Sequence, residues 1–102
     1  MEFETVTPKI NLPDGGIVAY DVCETWVAIA EVEGEVYAIG DLCTHKGCSV
    51  AKGTLEGTTV TCPCHGSQFD VTTGAVLRGP ATDALPSYKV KIDQRGNVMV
   101  EL

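Results

Sequence analysis

Both histidines of the chain lie within two residues of a cysteine: His45 in "CTHKGC", residues 43–48, and His65 in "CPCHGSQFD", residues 62–70. Set out as spacing, the pattern is Cys43-x-His45, sixteen residues, then Cys62-x-x-His65, with Cys48 and Cys64 as further thiols. Two thiolates and two imidazoles on two segments amount to a metal site. Zinc is one candidate, but its usual two-Cys, two-His arrangement pairs C-x-x-C with H-x-x-x-H. Here each arm supplies one residue of each kind, and C-x-H is short for zinc. Mixed arms suit a binuclear iron–sulfur centre better, with one iron on two thiolates and the other on two imidazoles. A redox dithiol, or plain disulfides, would leave both histidines without a role. Cys62 and Cys64 could hardly bridge each other, given the Cα separation and dihedral that a disulfide demands.

These residues need a scaffold, and its sequence reads as all-β. Thirteen Val, five Ile and eleven Thr supply β-branched side chains, and Gly or Pro punctuates the chain at short intervals. In "YKVKI", Tyr88, Val90 and Ile92 alternate with Lys89 and Lys91, and in "NVMVEL" Val98, Val100 and Leu102 repeat the period of two. The intervening "DQRGN" supplies turn chemistry, so the last fifteen residues read as a hairpin. "TWVAIAEV" and "EVYAIG" are strands on either side of a tight turn at Glu33 and Gly34, and "GGIVAYDV" is an edge or opening strand. From Asp41 to Leu77 only short strands are expected ("TTVTC", "QFDV", "AVL"), between loops that carry every cysteine except Cys23. Cys23 itself is expected to be a small buried hydrophobe. Trp26 and the tyrosines are expected in the core or half exposed on strands.

At 102 residues the chain reads as one domain, 1–102, long enough to bury roughly 65% of its unfolded surface. Val, Ile, Leu and Phe make up about a quarter of it, as in globular sequences. The formal charge of −7 opposes binding to phosphate backbones and favours a basic protein partner. No stretch approaches the roughly 20 apolar residues of a membrane span. The opening "MEFETVTPKI" lacks the basic and apolar regions of a signal peptide, so a cytoplasmic protein is expected, without membrane or nucleic-acid partners.

The two boxes, with the strand pattern around them, resemble the cluster-binding motifs of Rieske [2Fe-2S] proteins over essentially the whole chain. That resemblance implies an antiparallel β-sandwich with a small cluster-binding subdomain, its loops within about residues 41–82, and one cluster per chain. Cys43 and Cys62 match the thiolate ligands of the buried iron, and His45 and His65 the imidazole ligands of an outer iron near the surface. Cys48 and Cys64 match a pair that forms a disulfide between the loops in the high-potential branch, although disulfides are rare in cytosolic proteins. Ser67 matches a serine whose hydroxyl donates to a bridging sulfide. Phe69 stands where high-potential members carry a Tyr that hydrogen-bonds a ligand sulfur, which implies a lower potential. Lys46 stands where quinol-oxidising members carry an apolar residue. "GPAT", residues 79–82, matches a loop that covers the cluster, with Pro80 stiffening it.

The resemblance implies a monomeric one-electron carrier rather than an enzyme: a ferredoxin shuttling electrons from a flavin-dependent reductase to a terminal aromatic-ring-hydroxylating oxygenase. The imidazole edges would be the electron's door, with Asp and Glu around the rim. A subunit or fragment of a quinol- or metalloid-oxidising chain, a nitrite reductase small subunit and a zinc-stabilised interaction module are the alternatives.

Overall fold

The computed structural model describes residues 3–43, 47–64 and 66–102. Eleven strands and two single 3-10 turns make up its regular structure, with no α-helix among the described residues. β1 (Phe3–Pro8), β10 (Val90–Ile92) and β11 (Asn97–Glu101) form an antiparallel sheet in the order β1-β11-β10. A second sheet, in the order β2-β3-β4-β9, holds β2 (Ile17–Val22), β3 (Thr25–Val32), β4 (Glu35–Gly40) and β9 (Ser87–Tyr88). The third runs β5-β6-β7-β8 through β5 (Thr54–Glu56), β6 (Thr59–Thr61), β7 (Gln68–Asp70) and β8 (Val76–Arg78).

The second sheet is the middle layer, and β3 explains why. Successive side chains of a strand point to opposite faces. Val27 and Ile29 pack with Val98 and Val100 of β11, whereas Ala28 and Ala30 pack with Val60 of β6 and Phe69 of β7. All four β3 residues are buried, which is why "VAIA" reads as an unbroken apolar run. Large side chains fill the core toward the first sheet, and the alanines let the third sheet approach closely. β4 divides in the same way, Ala38 facing one core and Ile39 the other. Full burial of each Val or Ile contributes about 1.5–3 kcal/mol, so the third sheet is mounted on a rigid base.

Both hairpins of the middle sheet turn on left-handed residues. Glu33 and Gly34 have φ of 52° and 84°, as the tight-turn reading expects. The β2–β3 turn uses Cys23 and Glu24, with φ of 51° and 66°, and there the expectation fails: Cys23 is exposed. The register Val22 opposite Thr25 leaves Cys23 and Glu24 as the two turn residues, and a turn tip has no core to enter.

"YKVKI" also differs from its reading as one strand. Tyr88 pairs with Ala38 of β4, whereas Val90 pairs with Val100 of β11, so the chain changes sheet at Lys89. Ile92, expected on the buried face, is 42% exposed because it lies at the far end of a three-residue strand. The turn after it is held by Asp93, whose carboxylate accepts the N–H groups of Arg95 at 2.8 Å and Asn97 at 2.9 Å. The Asn97 N–H is the main reason that the Asp93 carboxyl lies below its usual range.

Candidate metal centre

The two cysteine-bearing loops differ in sequence but are closed in the same way. The first is bracketed by the isolated bridge between Leu42 and Ser49, the second by the β6–β7 pair Thr61 and Gln68. In each, the cysteine directly after the bracket donates its N–H to the carbonyl five residues on, Cys43 to Cys48 at 2.7 Å and Cys62 to Ser67 at 2.8 Å. In each, the glycine four residues on donates back to the cysteine carbonyl, Gly47 at 2.7 Å and Gly66 at 3.2 Å. These glycines have φ of 73° and 78°, and an added Cβ would meet nothing within 4 Å. Glycine is needed there for the left-handed backbone, not for space. Two loops of unlike sequence thus present one cysteine each from equivalent positions.

Cys43 is 3% exposed and Cys62 2%, neither is in a disulfide, and both belong to the core group that contains Val60 and Phe69. His45, Lys46 and His65 lie outside the described residues. Ser67 is fully buried, and its Oγ accepts the N–H of Ala81 at 3.0 Å. A hydroxyl that accepts one bond keeps its own proton to donate. Ala81 directly follows the cis Gly79–Pro80 bond, so the "GPAT" segment is tied to the second loop through Ser67, while Pro80 itself is exposed. Phe69 is fully buried opposite Val60.

The donor set fits an iron–sulfur group on this chain's own geometry. Two buried cysteines outside any disulfide occupy equivalent turns, a buried hydroxyl with a proton to give lies beside the second, and turn backbones enclose both.

Cys48 and Cys64 form a disulfide across the loops, with a Cα separation of 6.5 Å. The two cysteines are separated by 16 positions in sequence, and closing such a loop stabilises the folded state by about 3 kcal/mol. Replacing both cysteines with serine is expected to lower the melting temperature by roughly 15 °C for a domain of this size. An unchanged thermal melt would show that the bridge does not restrain the loops.

Asp41 was not singled out from sequence, yet it anchors the first loop. It is 1% exposed, its N–H donates to the Trp26 carbonyl at 3.0 Å, its carbonyl accepts Val50 N–H at 2.8 Å, and its Oδ1 accepts Ala51 N–H at 3.0 Å. The loop is therefore fixed to β3 and to the 3-10 turn Val50–Lys52 by a single residue. Only the position of an acidic residue at the end of an apolar strand hinted at this.

Charge is distributed unevenly. Residues 41–82 hold three acidic side chains (Asp41, Glu56, Asp70) and three basic ones (Lys46, Lys52, Arg78), so the whole formal charge of −7 belongs to the rest of the chain. On the flank where the disulfide lies, Trp26, Leu42, Pro63 and the exposed Lys52 gather, with the exposed Asp21 opposite Trp26 on β2; the expected acidic rim around His45 and His65 lies outside the described residues.

Residues 2–89 match the family model of the Rieske [2Fe-2S] domain. The chain is 41% identical over 92 residues to the ferredoxin component of the naphthalene 1,2-dioxygenase system of Pseudomonas aeruginosa, covering 90% of this chain and 88% of the relative. Its fold is similar to the ferredoxin of carbazole 1,9a-dioxygenase from Nocardioides aromaticivorans IC177, with a TM-score of 0.92, 28% identity and coverage of 98% and 97%. It is also similar to a chain of the complex of reduced oxygenase and oxidised ferredoxin in carbazole 1,9a-dioxygenase, with a TM-score of 0.88, 32% identity and coverage of 96% and 91%. With its paired loops, its layered sheets and nearly its full length accounted for by these likenesses, the chain belongs to the Rieske [2Fe-2S] family.

Proposed function

We propose that this chain is the ferredoxin component of an aromatic-ring-hydroxylating dioxygenase system, a one-electron carrier between a flavin-dependent reductase and a terminal oxygenase. The observation that carries the reading is the pair of equivalently closed loops, each with a buried cysteine at its first position, in a chain whose relatives are named as ferredoxin components. In this reading Cys43 and Cys62 hold one iron, and His45 and His65 hold the other. A bound [2Fe-2S] cluster, one per chain, accepts and releases single electrons. The chain's own contribution is to fix and tune it. The Cys48–Cys64 bridge and the Asp41 anchor hold the loops, and Ser67, whose Oγ accepts from Ala81, keeps its proton available to donate to the cluster. Lys46, which follows one ligand, argues against entry into an apolar quinone pocket. No helix among the described residues is long and apolar enough to cross a membrane, and a monomer working in the cytoplasm fits the role.

Phe69→Tyr tests the tuning. If the new hydroxyl reaches a ligand sulfur, the reduction potential rises. If it does not, a buried hydroxyl without a partner costs about 1–3 kcal/mol and the potential stays put.

A three-component assay tests the role. A flavin reductase, NADH and a naphthalene dioxygenase oxygenase component should form hydroxylated product only when the holo-protein is added. Equal product formation without it would remove the carrier role.

A further inference from the structure

Beside the disulfide lies a groove of about 510 Å³ whose walls come from both cysteine-bearing loops and from β3. Trp26, Leu42, Cys48, Lys52, Pro63 and Cys64 line it. Trp26 shares its strand face with Ala28 and Ala30, which pack under the third sheet, but it lies past that sheet's cover and is 47% exposed. Leu42, directly before Cys43, is 50% exposed. Large apolar side chains gathered around one concavity mark contact sites, and Trp is enriched where binding energy concentrates. Among the described residues, Asp41 and Lys52 are the ionisable ones that line the groove, and Asp41 is buried with its carboxylate engaged by Ala51. Among the described lining residues Lys52 is thus the exposed charge, and it lies in a stretch, residues 41–82, whose formal charge sums to zero.

We infer that this groove is the docking site for the terminal oxygenase, and that it takes an apolar side chain of the oxygenase with a carboxylate beside it to meet Lys52. The inference rests on the carrier function proposed above. Its warrant is placement and charge. Cys48 and Cys64 form part of the wall, so a partner seated there lies against the loops that would hold the cluster. The acidic remainder of the chain favours a partner that is basic elsewhere, whereas the groove itself calls for the opposite sign. The second property does not follow from net charge alone.

The test uses the holo-protein, reductase, NADH and the oxygenase component of the naphthalene 1,2-dioxygenase system. Trp26→Ala and Leu42→Ser are expected to raise the KM for the carrier about tenfold, and Lys52→Gln about threefold. Re-oxidation of each reduced variant by ferricyanide, a small acceptor needing no docking surface, should stay at the wild-type rate. So should the reduction potential, which establishes that the centre is intact. Ile10→Ser serves as the control, since Ile10 is 91% exposed but outside the groove, and its KM should not change. Failure of the wild type to support turnover overturns the carrier reading. Normal wild-type turnover with unchanged KM in both Trp26→Ala and Leu42→Ser overturns the groove alone. An effect confined to the reductase step, or a shift from dimer to monomer in sedimentation with KM unchanged, assigns the groove to another occupant and also overturns the inference.

Discussion

Cys62→Ala is expected to yield a protein whose iron content falls to background and whose visible absorption is lost, whereas Cys23→Ser should keep both. The two cysteines differ in setting. Cys62 is 2% exposed, at the first position of a closed loop equivalent to that of Cys43, while Cys23 is exposed at a hairpin tip. If Cys62 were only a small buried hydrophobe, alanine would cost about 1 kcal/mol of packing and leave the metal content untouched. If it is a ligand, no neighbouring thiol can stand in, because Cys64 is committed to Cys48. The variant should also melt at a lower temperature, since metal binding is coupled to folding. Metal analysis and absorption spectra of the two purified variants decide the matter, and retained iron in Cys62→Ala would remove Cys62 from the ligand set.

Phe69→Ala is expected to destabilise the protein by about 3–5 kcal/mol. Phe69 heads the fully buried side chains by volume and sits in β7, directly after the second loop's bracket, packed in the core group shared with Cys43, Cys62 and Ala28. Removing its ring opens a cavity beneath both loops at once. Denaturant unfolding of the holo-protein should show the loss as a lower midpoint, with faster release of iron. A loss below about 1 kcal/mol would mean that the third sheet collapses around the site, and that the loops are not braced from below.

The two cysteine–histidine boxes stand out in the sequence because metal chemistry needs few residue types, and those types are scarce here: two histidines and five cysteines leave little room for coincidence. The β3–β4 hairpin was equally legible, since alternation and a Glu-Gly turn are local signals. What sequence did not disclose depends on tertiary partners. β1 carries "FETVTP", whose mixed pattern makes sense only opposite β11. The change of sheet at Lys89 is set by which strands flank it, not by its own residues. β5 leaves no signal in the sequence because three residues, "TLE", carry no period. The exposure of Cys23 follows from the β2–β3 register, which no local signal discloses. The Cys48–Cys64 bridge is implied by family resemblance rather than by spacing, and the duplicated loop closure resides in backbone hydrogen bonds that the side-chain types do not specify. The groove draws on positions 26, 42, 52 and 63, which no local reading brings together.

The most direct test of the central claim is a reductive potential titration of the purified protein, followed by electron paramagnetic resonance. Ligation by two cysteines and two histidines predicts a rhombic signal of low average g, appearing on reduction near the lower end of the Rieske range, at about −150 mV. A colourless protein that contains zinc and gives no signal would contradict it.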